Sequence, residues 1–438
     1  MEAGIFSSIN DAMCLVKKAH ERYEKLSLED REEIVDAIRK KLMSHVEIMA
    51  MLAVEETGMG NYPDKKQKLI AAIERTPAAE DLVTEVKTGD RGMTLYELSA
   101  FGIICTMEPA GSPAASIINH VIGMIAAGNA VVVCPNPRAV KTSNYVTSLI
   151  DRAIVETCGI DNLVVSYDVS NIANAKEIMH HPDVDMVVCN VGEEALKGSF
   201  ACAKKVIGEG GANCVALIDE TADLKKAAHD IVLSASFDYN VMHTSEKALV
   251  AVDDIEKELE SELEKNGALI IQSSDEIEKL AGLIFREDGS VSRKWIGKSA
   301  ETILQTAGIY YEGRVKLIVV KTTEYHRFVT QEVPAPIVPL VGAESYEEGL
   351  ERMLVIEQGY KHTAAVHSTS IDRLNEVAKK LQTAVFVKNG PALEGVGILG
   401  NHTPFTQMVA NVTGEGTVSA RHYTRRRKCM LTNGFSIR

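Results

Sequence analysis

The 438 residues are 45% hydrophobic, enough apolar material for two or more domains with separate cores. A formal charge of -14, from 47 Lys+Arg against 61 Asp+Glu, repels phosphate backbones and anionic membrane surfaces and argues against nucleic acid as a partner. The basic run Arg425-Arg426-Arg427-Lys428 stands isolated in this acidic chain and reads as a paired or solvated face.

Met1 to Ser8 has neither a basic n-region nor an apolar h-region, so no secretory signal or anchor is expected and the protein should be cytoplasmic. Ser27-Leu28-Glu29-Asp30 reads as a capping box, and Ile34, Ile38, Leu42, Val46 and Met49 follow at helical spacing, which predicts a helical N-terminal region. From Phe101 the pattern changes. Apolar runs at 102–105, 130–133, 163–165 and 186–189 alternate with helix-like stretches at 113–127, 140–154, 172–179 and 193–203. Buried-strand runs separated by amphipathic helices predict an α/β fold with a doubly wound parallel sheet and a ligand crevice at the strands' carboxyl ends. Runs at 215–218, 248–252, 317–320, 337–341, 364–367 and 384–387 repeat the theme and predict a second α/β domain. The longest apolar neighbourhood, 117–134, is broken by Asn119, His120, Gly123, Gly128 and Asn129, too polar for the roughly 20 residues of a membrane span.

Eight cysteines, at 14, 105, 134, 158, 189, 202, 214 and 429, form no C-x-x-C pair, so reduced thiols are expected rather than disulfides or a zinc site. A literal G-x-G-x-x-G occurs at Gly395, Gly397 and Gly400 with Glu415 behind it, but it follows Lys388-Asn389-Gly390-Pro391 and leads into loop-like Asn401-His402-Thr403-Pro404. A dinucleotide fingerprint needs those glycines between a first strand and a helix, so this one is read as a loop. Gly208-Glu209-Gly210-Gly211-Ala212-Asn213 has small residues that would let backbone approach a flat ligand. His362 and His367 bracket a strand-like segment on opposite faces and make a poor metal pair; no metal is expected. His180-His181 before Pro182 reads as a helix end.

Five motifs occur together and in order: 126–132 (AAGNAVV), 219–223 (DETAD), 234–238 (SASFD), 387–391 (VKNGP) and 413–416 (TGEG). On these the chain resembles the CoA-acylating aldehyde dehydrogenases of the ethanolamine-utilisation and propanediol-utilisation type, from about Gly4 to the C-terminus. The resemblance implies the aldehyde dehydrogenase fold: a modified Rossmann NAD-binding domain at 1–213 with an arm at about 82–100, a catalytic domain at 214–410, and a C-terminal return with an oligomerisation strand at 411–438. It implies NAD as cofactor, coenzyme A as cosubstrate, and a small aldehyde or acyl-CoA as substrate. It places Pro135, Asn136, Pro137 and Lys141 at the adenosine, Gly192 and Glu193 at the pyrophosphate, Gly208 and Gly210 along the cofactor, and Glu332 at the nicotinamide ribose. Segments 94–98 and 428–431 resemble the family's oligomerisation arms, so a homodimer or tetramer is expected. Relatives work in bacterial microcompartments, but their N-terminal targeting peptide is not expected here, because the chain starts almost at Gly4-Ile5-Phe6.

Three departures fall in the expected chemical site. His243, in Met242-His243-Thr244, stands where the family has its nucleophilic cysteine. Ser112 stands in place of the oxyanion-binding asparagine and is also a natural N-cap before Pro113. Cys189-Asn190-Val191-Gly192 replaces two adjacent glycines, so a side chain could crowd the cofactor. Glu209 lies near the position of the glutamate base of hydrolytic relatives, and the plainer reading is a solvated loop acid. Losing a covalent nucleophile costs on the order of a million-fold in turnover, about 8 kcal/mol, and an oxyanion donor about 3 kcal/mol more. Two readings follow. The chain still oxidises an aldehyde with His243 or Cys214 substituting, or it is a non-catalytic nucleotide- and CoA-binding subunit partnering an active paralogue; the missing sulfur favours the second.

Overall fold

The computed structural model describes residues 3–400 and 402–436, so the readings at Met1, Glu2 and Asn401 fall outside it. A first parallel sheet runs in the order Ile5–Phe6, Val164–Tyr167, Ala130–Cys134, Ile103–Met107, Met186–Cys189, Lys205–Gly208. Its central strands are buried along their whole length, as expected of strands covered by helices on both faces. The strand order reverses beside Ile103–Met107, and the crevice at its carboxyl end opens onto the helix Pro113–Ala126. The helices Leu28–Met43, Val46–Thr57 and Tyr62–Arg75 pack on this half. The capping box is present: the Asp30 amide donates to Ser27 Oγ at 3.1 Å and the Ser27 amide to Asp30 Oδ2 at 2.8 Å.

A second parallel sheet runs Ala268–Ile271, Leu317–Lys321, Ile337–Ala343, Ala248–Val252, Val215–Ile218, Thr363–His367, Val385–Lys388. All ten predicted strand runs appear. The sequence reading missed Ile5–Phe6, Lys205–Gly208 and Ala268–Ile271, all short strands at or beside a sheet edge. The helix predicted to reach 203 ends at Phe200, and Ala203 adopts a left-handed φ of 55°.

A third sheet is antiparallel: Thr424–Thr432, Gly92–Ala100 and Glu85–Gly89, with Cys429 opposite Leu95. Here the basic run is paired as expected. Arg426 bonds Glu85 and lies 3.8 Å over the Tyr96 ring, and Arg425 lies 4.4 Å over Phe101. The glycines of the rejected fingerprint close a 3-10 turn at Ala392–Val396, where Gly397 faces the Pro404 carbonyl instead of opening a helix. Among the described residues no helix is long and apolar enough to cross a membrane.

Candidate active site

The helix Leu224–Ser236 ends in a 3-10 turn, Phe237–Asn240, in which Asp238, Tyr239 and Asn240 all hold left-handed φ values of 49°, 54° and 59°. Non-glycine residues resist that region by about 1 kcal/mol or more each, so the surroundings must hold them. They do so through buried charge. Asp238 Oδ2 accepts Lys65 Nζ at 2.7 Å and Lys68 Nζ at 2.6 Å, Asp238 Oδ1 accepts the Asn61 amide at 3.1 Å, and the Asp238 amide donates to Asp64 at 2.7 Å. On the far side Lys247 Nζ donates to the Asn240 carbonyl at 2.8 Å. Gly60 makes the approach possible, since a Cβ there would lie 1.8 Å from Asp238 Oδ1. Burial brings Lys65 down to about 8.

The same lysines reach the start of the helix Pro113–Ala126: Lys65 donates to the Gly111 carbonyl at 2.6 Å and Lys68 to Ser112 Oγ at 2.7 Å. One buried cluster thus ties the turn leading to His243 to the turn carrying Ser112. The expected N-cap role of Ser112 is only positional. It occupies the cap with Pro113 behind it, but its hydroxyl makes no capping bond and is held by Lys68.

His243 follows this turn and keeps 43% of its side chain exposed. Its Nδ1 lies 2.7 and 2.9 Å from the two Glu332 oxygens. The Glu332 charge raises the imidazole pKa to about 9, against burial that would lower it. Burial pushes the Glu332 carboxyl up, but the His243 charge and hydrogen bond outweigh it and hold the group below its ordinary range. At neutral pH the pair is imidazolium and carboxylate. A protonated ring has no lone pair to offer a carbonyl, and this weighs against the acyl-imidazole expected of His243.

The other substitute, Cys214, is 0% exposed at the start of Val215–Ile218, and burial pushes its thiol well above its usual range. Glu209 is corrected. It is 4% exposed rather than solvated, and its Oε1 lies 2.7 Å from His362 Nε2. His362, read from sequence only as a poor metal ligand, is fully buried and sets its ring 6.3 Å from that of His243 at 61°. His367, five residues on, stays apart as a buried histidine that burial lowers to about 4. Among the described residues no group of three or more His, Cys, Asp and Glu is placed to hold a metal.

The residues expected at a nicotinamide dinucleotide fit it at one end. Pro135, Asn136 and Pro137 follow the carboxyl end of Ala130–Cys134, and the exposed Lys141 ammonium has no partner among the described residues; its amide donates to Glu56 at 2.8 Å. Gly192, at φ 100°, opens the helix Glu193–Phe200, and a Cβ there would meet nothing within 4 Å, which leaves a cradle for a phosphate. Asn190 does not crowd it, because its amide turns inward to Ser116 Oγ at 3.4 Å. The rest fits poorly. A Cβ on Gly208 would meet Leu196 at 2.0 Å and one on Gly210 would meet Val412 at 2.3 Å, so these glycines admit protein side chains rather than a ligand. Glu332, expected at the ribose, is engaged by His243.

This pair gives a direct prediction. The His243 ring signal should titrate near 9 by NMR, and Glu332→Gln should bring it to about its unperturbed 6.5 or below. Because the folded-state value is raised, the pair's stabilisation is complete below about pH 6.5 and fades as pH rises through about 9. At the acid end the lowered Glu332 loses its share as pH falls through its folded value. A midpoint near 6.5 in the unmutated protein would remove the ion pair.

Residues 4–399 match the model of the aldehyde dehydrogenase family. The CoA-propanoylating propanal dehydrogenase of Salmonella typhimurium (strain LT2) is 40% identical over 437 residues, 99% of this chain and 93% of that one. The structure is similar to that of a Rhodopseudomonas palustris propionaldehyde dehydrogenase with bound CoA and an acylated cysteine, at TM-score 0.97 and 38% identity over 99% of each chain. It is equally similar to an engineered glycolyl-CoA reductase with bound NADP+, at TM-score 0.97 and 38% identity over 99% of each chain. With a match of this extent over both parallel sheets, the chain belongs to the aldehyde dehydrogenase family, and CoA-acylating dehydrogenases are among its relatives.

Proposed function

We propose that this chain is a binding member of the CoA-acylating aldehyde dehydrogenases that has lost oxidative turnover. One observation carries the reading: His243, which the motif register puts in the nucleophile's position, lies with Nδ1 2.7 Å from Glu332, whose charge favours the protonated ring that cannot add to a carbonyl. The ligands are CoA or a short acyl-CoA, and a nicotinamide dinucleotide held at its adenosine end by the loop of Pro135, Asn136, Pro137 and Lys141 and at its phosphates by Gly192 and Glu193. A bound nicotinamide would supply a hydride acceptor. This chain's own contribution is to occupy Glu332 with His243, which denies the ribose that carboxylate. In this reading residues 1–213 carry the nucleotide, 214–410 the altered chemical site, and 411–438 the return strand. The arm strands support a homodimer or tetramer, or a mixed oligomer with an active paralogue, because Glu85–Gly89 and all of Thr424–Thr432 beyond its first residue are exposed.

The test is ligand-induced stabilisation. CoA and NAD are each expected to raise the melting temperature, since a ligand at about 100 times its Kd stabilises the state it binds by about 2.7 kcal/mol. Failure of both to shift the transition would overturn the reading.

A further inference from the structure

The His243 ring is a hydrogen-bond donor fixed in place before any ligand arrives. Its Nδ1 is held between the two Glu332 oxygens at 2.7 and 2.9 Å, and the His362 ring stands edge-on at 6.3 Å and 61°, so the imidazole keeps one orientation. The other nitrogen, Nε2, has no partner among the described residues and is open to solvent, with 43% of the side chain exposed. The charged groups around the ring favour its protonated form: Glu332 first, with Glu209 adding to it, against burial and the Lys247 ammonium. Nε2 therefore carries the free N–H of a cation. The neighbouring polar groups offer no such atom. His362 is fully buried with Nε2 on Glu209 at 2.7 Å and Nδ1 on Thr363 at 2.9 Å, and Ser112 is 5% exposed and held by Lys68. A charge-assisted donor that is already oriented gives most of its strength to a ligand's acceptor, because binding has little left to order.

We propose that His243 is an acyl-recognition residue: its Nε2–H donates to the carbonyl oxygen of a short acyl-CoA, and the site thereby holds the thioester in preference to free CoA. The inference rests on the CoA-binding reading above, in which residue 243 stands where a nucleophile would meet the acyl carbon. A histidine there ends in a nitrogen that can bond the acyl oxygen, the atom next to that carbon, and no covalent bond is made or broken. Free CoA presents a thiol instead, which accepts only weakly. Glu332 is a positioning residue: it fixes the ring and keeps its charge. The replacement that removes the nucleophile thus leaves a receptor for the thioester.

The test is calorimetry on the purified full chain at pH 8 without NAD, comparing propionyl-CoA with S-propyl-CoA, the thioether that keeps the chain length and lacks the carbonyl oxygen. Propionyl-CoA is expected to bind about 10- to 100-fold more tightly, the range of a hydrogen bond to a charged group. His243→Phe keeps a ring and removes the donor; it is expected to bring the two affinities within about threefold of each other, with S-propyl-CoA binding unchanged and the far-ultraviolet spectrum intact. Glu332→Gln is expected to lower the ratio by about fivefold or more, because the ring then loses its charge at this pH. Equal affinities in the unmutated protein, or a ratio that either substitution leaves unchanged in a folded chain, overturn the proposal and leave the CoA-binding reading standing. Binding of neither compound overturns both.

Discussion

Replacing His243 with cysteine is expected to raise CoA-dependent oxidation of propanal by about a thousand- to a million-fold over the unmutated chain. The upper figure is the order of magnitude of a covalent nucleophile in a comparable machine, about 8 kcal/mol of barrier. The lower one allows for Ser112, because an oxyanion donor is worth about 100- to 1,000-fold and the serine hydroxyl, already bonded by Lys68 at 2.7 Å, is shorter than an amide. The substitution acts twice. It supplies sulfur and it frees Glu332 from His243. NADH formation with propanal and CoA is the readout. A silent His243→Cys protein that still binds CoA would shift the block from residue 243 to Ser112.

The second large effect lies beneath the site. Asp238→Ala is expected to destabilise the protein by about 3–5 kcal/mol, because it strands the Lys65 and Lys68 ammonium groups in a region where both side chains are at most 3% exposed. It also releases the carboxylate bonded to both lysines, which holds a turn with three consecutive left-handed residues. Lys68→Met should cost less, since Lys65 would still neutralise Asp238. The midpoint of chemical denaturation measures both. A loss under about 1 kcal/mol for Asp238→Ala would mean that the cluster is not what holds the turn.

Sequence reading reached much of the fold because strands buried on both faces of a parallel sheet read as unbroken apolar runs. Val131 to Val133 and Val187 to Val188 are fully buried and could be recognised without their neighbours. Ala268–Ile271 carries the same residue types and follows the turn dipeptide Asn266-Gly267, but it is only four residues long and mostly half-buried at an edge, so its apolar run is too short to stand out behind the charged helix Asp253–Lys265. In the site, His243, Ser112 and Glu332 could be singled out by their places among ordered motifs. Their partners could not. Glu209 meets His362 across 153 residues, and Asp238 meets Lys65 and Lys68 across 173 and 170, with no local periodicity to join them. That distance is also why Glu209 looked solvated: burial depends on what the fold packs over a loop, and a glycine-rich neighbourhood gives no sign of it.

With residue 243 held as a charged imidazolium by Glu332, the purified, unmutated protein given NAD, propanal and CoA at neutral pH should yield no NADH above the protein-free rate, in the first turnover or later. A burst of one NADH per chain, blocked by His243→Ala, would instead show a working nucleophile at that position.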